Sequence, residues 1–168
     1  MLIIETGLGV ANADSFLSLV YARALAESYG LTLAATDPEA EVQLRQGYNG
    51  LLVSEPSLQG LRTHVIQTGI YPRTGAYSNG NAVDSEDIPL SVKLAQLNYS
   101  DAINKGYGTN SVSDGQALSG FNVDGVYSET YQDGGGAKTN STIQGVYNAL
   151  YPLTLQGGAG GLTRTEFF

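Results

Sequence analysis

Ile88-Pro89-Leu90-Ser91-Val92-Lys93-Leu94-Ala95-Gln96-Leu97-Asn98-Tyr99-Ser100-Asp101-Ala102-Ile103-Asn104-Lys105-Gly106 is the stretch that sets the fold class. Pro89 suits the first turn of a helix, where its missing N–H is not needed. Leu90, Val92, Leu94, Ala95, Leu97, Tyr99 and Ile103 then recur at helical spacing over a wide apolar face, which places this helix centrally in a bundle. Lys105-Gly106 supplies the charge and the left-handed backbone suited to a C-terminus.

Upstream, Leu2-Ile3-Ile4 reads as a brief strand that Gly7 and Gly9 interrupt. Asn12 and Asp14 are candidate N-caps for a helix whose stripe is Phe16, Leu17, Val20, Tyr21, Ala24 and Leu25, ending near Tyr29-Gly30. Asp37-Pro38-Glu39 starts a second helix, with Asp37 as cap and Ala40, Leu44, Tyr48, Leu51 and Leu52 on one face. Within it Gly47 marks either a close crossing or a break. Leu58, Leu61, Val65 and Ile66 have the spacing of a further short helix between Ser57 and Gln67, with Gly60 against it. Residues 69–87 read as a long ordered loop anchored by Ile70, Tyr71, Tyr77 and Val83.

Downstream of residue 106 the chain turns rich in Gly, Ser, Asn, Thr and Asp. Phe121, Val123, Val126, Tyr127 and Tyr131 suggest two strands around the type I′ turn dipeptide Asp124-Gly125. A last helix, near Thr142 to Leu150, carries Ile143, Val146, Tyr147 and Leu150 on one face and ends before Pro152. Gln156-Gly157-Gly158-Ala159-Gly160-Gly161 then leads to Leu162 and Phe167-Phe168, an arm expected to order against a partner. The expected fold is therefore mainly α: a small bundle of three to five helices with a short N-terminal strand, a late β-hairpin and an extended C-terminal arm. One domain spans 1–155, with its helical core at about 12–106 and its hairpin and terminal helix at about 116–151; the glycine-rich arm is 156–168.

Composition narrows the chemistry. The 168 residues include no Cys and one His, which excludes disulfides and thiolate chemistry and argues against a zinc site. A site for an oxygen-liganded cation stays open. With 16 acidic against 8 basic side chains the net charge is −8, which opposes strong binding to nucleic acid by a lone subunit. Met1-Leu2-Ile3-Ile4-Glu5 has no basic n-region, and no apolar run nears the roughly 20 residues that span a bilayer, so a soluble intracellular product with no membrane partner is expected. The 11 Tyr can bury a ring and still offer a hydroxyl at a contact.

Two elements are more specific: Glu5-Thr6-Gly7-Leu8-Gly9-Val10-Ala11-Asn12-Ala13-Asp14-Ser15-Phe16, and Tyr71-Pro72-Arg73-Thr74-Gly75. Together with Ile88-Pro89, Val92 and Ala95 and the late Gly125-Val126 and Tyr131, in that order, they resemble a family of head-tail adaptor proteins of tailed bacteriophages. Members are often labelled DnaT-like single-stranded-DNA-binding proteins. The resemblance covers residues 1–151, with Phe16 where tyrosine is commoner, Tyr71 where tryptophan is usual, and a glycine-rich tail after Pro152 in place of a compact ending. The motif positions carried over are Glu5, Thr6, Gly7, Gly9, Asn12, Asp14, Ser15, Tyr71, Pro72, Arg73, Gly75, Ile88 and Pro89, with Phe167 and Phe168 as candidate docking residues.

That resemblance implies a structural protein without turnover or cofactor, located in the virion neck and, during assembly, in the host cytoplasm. Its copies would form a ring beneath the portal, twelvefold when on the portal, extend the DNA channel and dock a stopper or tail protein. An acidic channel wall would let the genome pass without specific binding. The alternative is a module for single-stranded nucleic acid.

Arg73 can serve as a clamp within the subunit, a pair between subunits or a nucleic-acid contact, since guanidinium offers five donors in a fixed fork. Glu5, Asp14, Asp84, Glu86 and Asp87 could form a carboxylate site, but Glu86-Asp87 is more simply favourable charge before a helix. His64 has no second ligand and reads as a core-edge or interface residue. Gly7-Leu8-Gly9 lacks the Gly-Lys-Ser/Thr of a phosphate loop, and no Gly-x-Ser-x-Gly elbow occurs. The tyrosines at 99, 107, 127, 131, 147 and 151 and the Phe residues could stack bases, yet the sparse Lys93, Lys105, Lys138 and Arg164 favour core and protein-contact use.

Overall fold

A computed structural model describes residues 1–106, 118–122, 128–131 and 141–155 of the chain. Its described residues form a mainly helical fold with four α-helices: α1 (Leu19–Tyr29), α2 (Asp37–Gly50), α3 (Leu90–Asn104) and α4 (Ser141–Leu150). The periodic Pro89–Gly106 stretch becomes α3, which packs against both α2 and α4. Its two sides serve two apolar clusters. Val92 and Ala95 join Phe16, Tyr48, Ile70, Tyr71 and Leu150 in one, and Leu97 joins Leu17, Leu25 and Leu44 in the other. α3 ends as its sequence expects, at Lys105 and at Gly106 with φ +82°.

The β-structure is small and antiparallel. β1 (Leu61–Arg62) pairs with β2 (Arg73–Thr74), and β3 (Tyr77–Ser78) with β4 (Asn81–Ala82). The second pair is a hairpin turning on Asn79 and Gly80, both at positive φ, which suits the right-handed twist of paired strands. β5 (Leu118–Asn122) pairs with β6 (Ser128–Tyr131), with a register shift between Leu118 and Phe121. The Asp124-Gly125 turn between them lies outside the described residues, as does the arm at 156–168.

Several expectations are corrected. The N-terminal strand reduces to a single bridge between Ile4 and Ser15, because the backbone must turn at Gly7 and Gly9 before a ladder can extend. Ser18, not Asn12 or Asp14, caps α1, its hydroxyl accepting from the Tyr21 N–H at 3.3 Å. Phe16 and Leu17 are buried ahead of the helix, and its inner face is Ala22, Leu25 and Ala26, leaving Val20, Tyr21 and Ala24 in solvent. The alternate stripe wins because two alanines permit close approach to the core. α2 begins one residue early: Thr36 is the N-cap and its hydroxyl donates to Glu39 at 2.6 Å.

The helix expected between Ser57 and Gln67 does not form. A 3-10 helix at Leu51–Ser57 is followed by Gly60 at φ +69°, after which Leu61 and Arg62 pair with β2. Leu58 is buried while Leu61, Val65 and Ile66 are exposed. The long loop keeps three of its anchors, Ile70 and Tyr71 fully and Val83 partly, whereas Tyr77 is exposed. Toward the C-terminus, Pro152 does not stop the chain at once but sits in a 3-10 turn, Tyr151–Leu153, that continues α4.

Gly47 is a close crossing, not a break. A β-carbon there would lie 2.5 Å from Ser100 Oγ and 2.7 Å from the Gln96 carbonyl, so α2 and α3 touch backbone to backbone. Gly47→Ala gains about 1 kcal/mol of helix propensity but must push the helices apart, and a net loss of about 1–3 kcal/mol is expected in urea unfolding. A stabilised variant would show that the crossing is slack.

Candidate functional site

The motif residues fall into three linked groups, all built from backbone groups that need partners. In the N-terminal loop, the buried Glu5 carboxylate accepts the N–H groups of Gly7 (2.9 Å), Gly9 (3.0 Å) and Val10 (2.8 Å). Both glycines are required: at φ +100° and +67°, a β-carbon on Gly7 would lie 1.7 Å from the Glu86 carbonyl oxygen, and one on Gly9 would lie 2.4 Å from the His64 ring. Thr6 and Asn12 are exposed, Asn12 at φ +59°. Asp14 accepts the Ile3 N–H at 2.7 Å and pairs with Arg45 at 2.7 Å. The Asp14 hydrogen bond raises the Arg45 guanidinium above its ordinary value, against the opposing effect of burial.

The second group centres on Gln96, a fully buried amide inside α3. Its carbonyl accepts the Phe16 N–H at 2.9 Å, and its NH2 donates to Ser15 Oγ and the Leu44 carbonyl, both at 2.9 Å. The N-terminal loop, α2 and α3 are thereby joined through one side chain. Sequence reasoning missed it. The available signal was its position four residues from Val92 and four from Ser100, on the inside of the helix.

The third group is the Tyr71–Gly75 element. Arg73, 4% exposed, donates to the carbonyls of Gln59 (2.7 Å), Gly60 (2.6 Å) and Ile70 (3.3 Å) and reaches Glu55 at 3.4 Å. Hydrogen bonding from Arg62, reinforced by its charge and by that of Arg73, holds the Glu55 carboxyl below the usual range although burial opposes this. Tyr71 precedes a cis bond to Pro72, and burial pushes its phenol up to about 12. Neither the Tyr71 hydroxyl nor His64 Nε2, both buried, has a hydrogen-bond partner among the described residues. Gln67 holds the carbonyls of Gly69 and Pro72 with its NH2 at 3.1 and 3.0 Å. Gly75 sits at φ +73°, Ile88 is buried and Pro89 caps α3. Phe167 and Phe168 lie outside the described residues.

The carboxylates do not converge on a catalytic cleft. Glu5 and Asp14 are engaged as above. Asp84 forms a turn, its Oδ1 accepting the Glu86 N–H at 2.9 Å, and Glu86 and Asp87 are exposed. A shallow open groove of about 460 Å³ lies beside them, lined in part by Thr6, Tyr21, Glu86, Asp87 and Lys93. Among the described residues no group of three His, Cys, Asp or Glu side chains is placed to hold a metal, and no helix is long and apolar enough to cross a membrane.

The cations are largely spent within the fold. Arg23 pairs with Asp37 at 2.9 Å, Arg45 with Asp14 and Glu41, Arg62 and Arg73 with Glu55, and Lys105 with Asp101 at 2.6 Å. Lys93, on the groove, is the one described cation without such a pair. Asp101 also accepts the N–H and hydroxyl of Thr32, both at 2.8 Å. Burial alone would raise its carboxyl, but the Lys105 and Thr32 hydrogen bonds outweigh burial and hold it below the ordinary 3.8.

Asp101 and Glu55 therefore give a pH prediction. Both have depressed values in the folded state, so the unfolded chain takes up protons first on acidification. Their contribution is full above the ordinary values of 3.8 and 4.5 and is lost as pH falls through the lower folded values. Urea midpoints measured from about pH 6 to about pH 3 should fall, and Asp101→Asn should flatten part of that slope. An unchanged slope would mean that the Asp101 contacts are not formed.

The described residues thus form a mainly helical fold stitched together by these buried polar groups. The chain matches, over residues 1–166, the family described as "Putative DnaT-like ssDNA binding protein", and it belongs to that family. No curated protein and no solved structure matches it.

Proposed function

We propose that this chain is a structural assembly protein, a head-to-tail adaptor whose copies form a ring beneath a phage portal, extend the DNA channel and dock a stopper or tail protein. The observation that carries the reading is where the charge goes. Five of the six basic side chains described in residues 1–106 pair with carboxylates of the same chain, Arg62 and Arg73 sharing Glu55, while Leu8, Val65 and Ile66 stand in solvent. A surface with apolar projections and few free cations suits protein contact better than polyphosphate. The order of the motifs along the sequence supplies the adaptor part of the reading. Ring closure then requires two different faces of each subunit to meet, and an acidic wall would let DNA slide without adhering.

Electron microscopy of the purified protein mixed with a phage portal protein from the same genome tests this. A ring of added density on the portal axis is expected. A portal left bare at micromolar concentrations of both would overturn the reading.

A second reading is favoured by the family's own description: a module that binds single-stranded DNA. It requires a cationic path with stacking rings, which in this chain would have to draw on Lys93 and on Lys138 and Arg164, the last two outside the described residues. Salt-dependent affinity of the folded protein for an oligonucleotide would carry that reading.

A further inference from the structure

Two loops far apart in sequence meet in one preorganised tip. Gly9 packs on the His64 ring and Ala11 bridges to Gln67. The Gln67 side chain accepts the His64 N–H at 3.0 Å, and Arg62 Nη1 holds the Gln67 carbonyl at 3.0 Å. On this fixed backbone Leu8, Val65 and Ile66 are 64%, 103% and 65% exposed. Because the backbone is already ordered by folding, little entropy remains to be lost when these side chains are buried by a partner. Beside the tip, Gly7 packs on the Glu86 carbonyl and Thr63 Oγ1 donates to the Ser85 carbonyl at 3.0 Å, so the turn bearing the exposed Asp84, Glu86 and Asp87 adjoins it.

We infer that the Leu8–Val65–Ile66 tip, flanked by Asp84, Glu86 and Asp87, docks a different protein of the same assembly that presents an apolar socket rimmed by lysine or arginine. The inference rests on the protein-contact reading above and names the chemistry of the partner. Charge selects the occupant. The described residues of a second copy offer a poor match, since their basic side chains other than Lys93 are already paired, and Lys93 itself lines the groove with Glu86 and Asp87. Nucleic acid is repelled by the three carboxylates. A protein with a basic rim gains both apolar burial and charge complementarity, with the acidic flank raising the association rate at low salt.

The test uses the full chain, co-expressed with a portal protein and a tail-side neck protein from the same genome, with photoreactive benzoylphenylalanine in place of Val65. Expected is a crosslink to a peptide of one of those proteins that contains Lys or Arg. The double variant Val65→Ser/Ile66→Ser, of unchanged thermal midpoint, should weaken the complex about tenfold or more. Asp84→Asn/Glu86→Gln/Asp87→Asn should slow association at low salt and remove most of its salt dependence. A crosslink to a second copy of this chain, or to DNA, overturns the inference. An intact complex without a crosslink, indifferent to both variants, overturns it too while leaving the adaptor reading in place. No complex with the parent chain removes both.

Discussion

Arg73→Ala is expected to lower the unfolding free energy by about 3–5 kcal/mol, the range for removing one partner from a buried charged network. Three carbonyls, of Gln59, Gly60 and Ile70, lose their donor together, and Glu55 keeps only Arg62. Those carbonyls belong to the segments leading into β1 and β2, so the Tyr71–Gly75 element should loosen before the helices do. Arg73→Lys should recover little, because an ammonium cannot present the planar fork that reaches three acceptors at once. Urea unfolding gives the magnitude, and amide exchange in residues 59–75 gives the location. A variant as stable as the parent would mean that Arg73 is held for an outside contact instead.

Gln96→Leu is the second large effect, about 2–5 kcal/mol. The replacement has similar bulk, so packing is nearly preserved and the cost is polar. The Phe16 N–H is left buried without its partner, the Leu44 carbonyl keeps only the bond it accepts within α2, and Ser15 Oγ loses a donor. The stranded amide costs about 1–3 kcal/mol, and the two weakened acceptors add to it. Circular dichroism in urea would measure the loss, and the Phe16 amide should exchange faster than in the parent under native conditions. If Gln96→Leu is neutral, the N-terminal loop is not held through α3.

Both effects arise where the sequence was least legible. Periodicity located α3 and its ends, because Val92, Ala95 and Leu97 fall on buried faces and Gly106 takes the left-handed conformation. It misplaced the inner face of α1, since Val20-Tyr21 and Ala22-Leu25-Ala26 are both apolar at helical spacing and only the packed structure decides between them. Between residues 57 and 67 the apolar spacing was helical, but the backbone at Gly60 and the pairing of Leu61 with Thr74 required an extended chain. Arg73 was visible as a candidate, whereas its acceptors were not: they come from residues 59, 60 and 70, at spacings that no regular element produces. Gln96 was hidden because a polar residue inside an apolar stripe reads as a gap rather than as a hub. The Gly7 and Gly9 positions were legible as turn residues, though not their contacts with Glu86 and His64.

The tally of charges carries the functional argument, and it is open to direct measurement. Fluorescence anisotropy of a labelled thymidine oligonucleotide, titrated with the folded full chain at about 20 mM salt, places the few free cations against a polyphosphate under the conditions that most favour binding. The account predicts no saturable binding up to tens of micromolar protein. Submicromolar affinity that weakens steeply as salt is raised would contradict it and identify the chain as a single-strand binder.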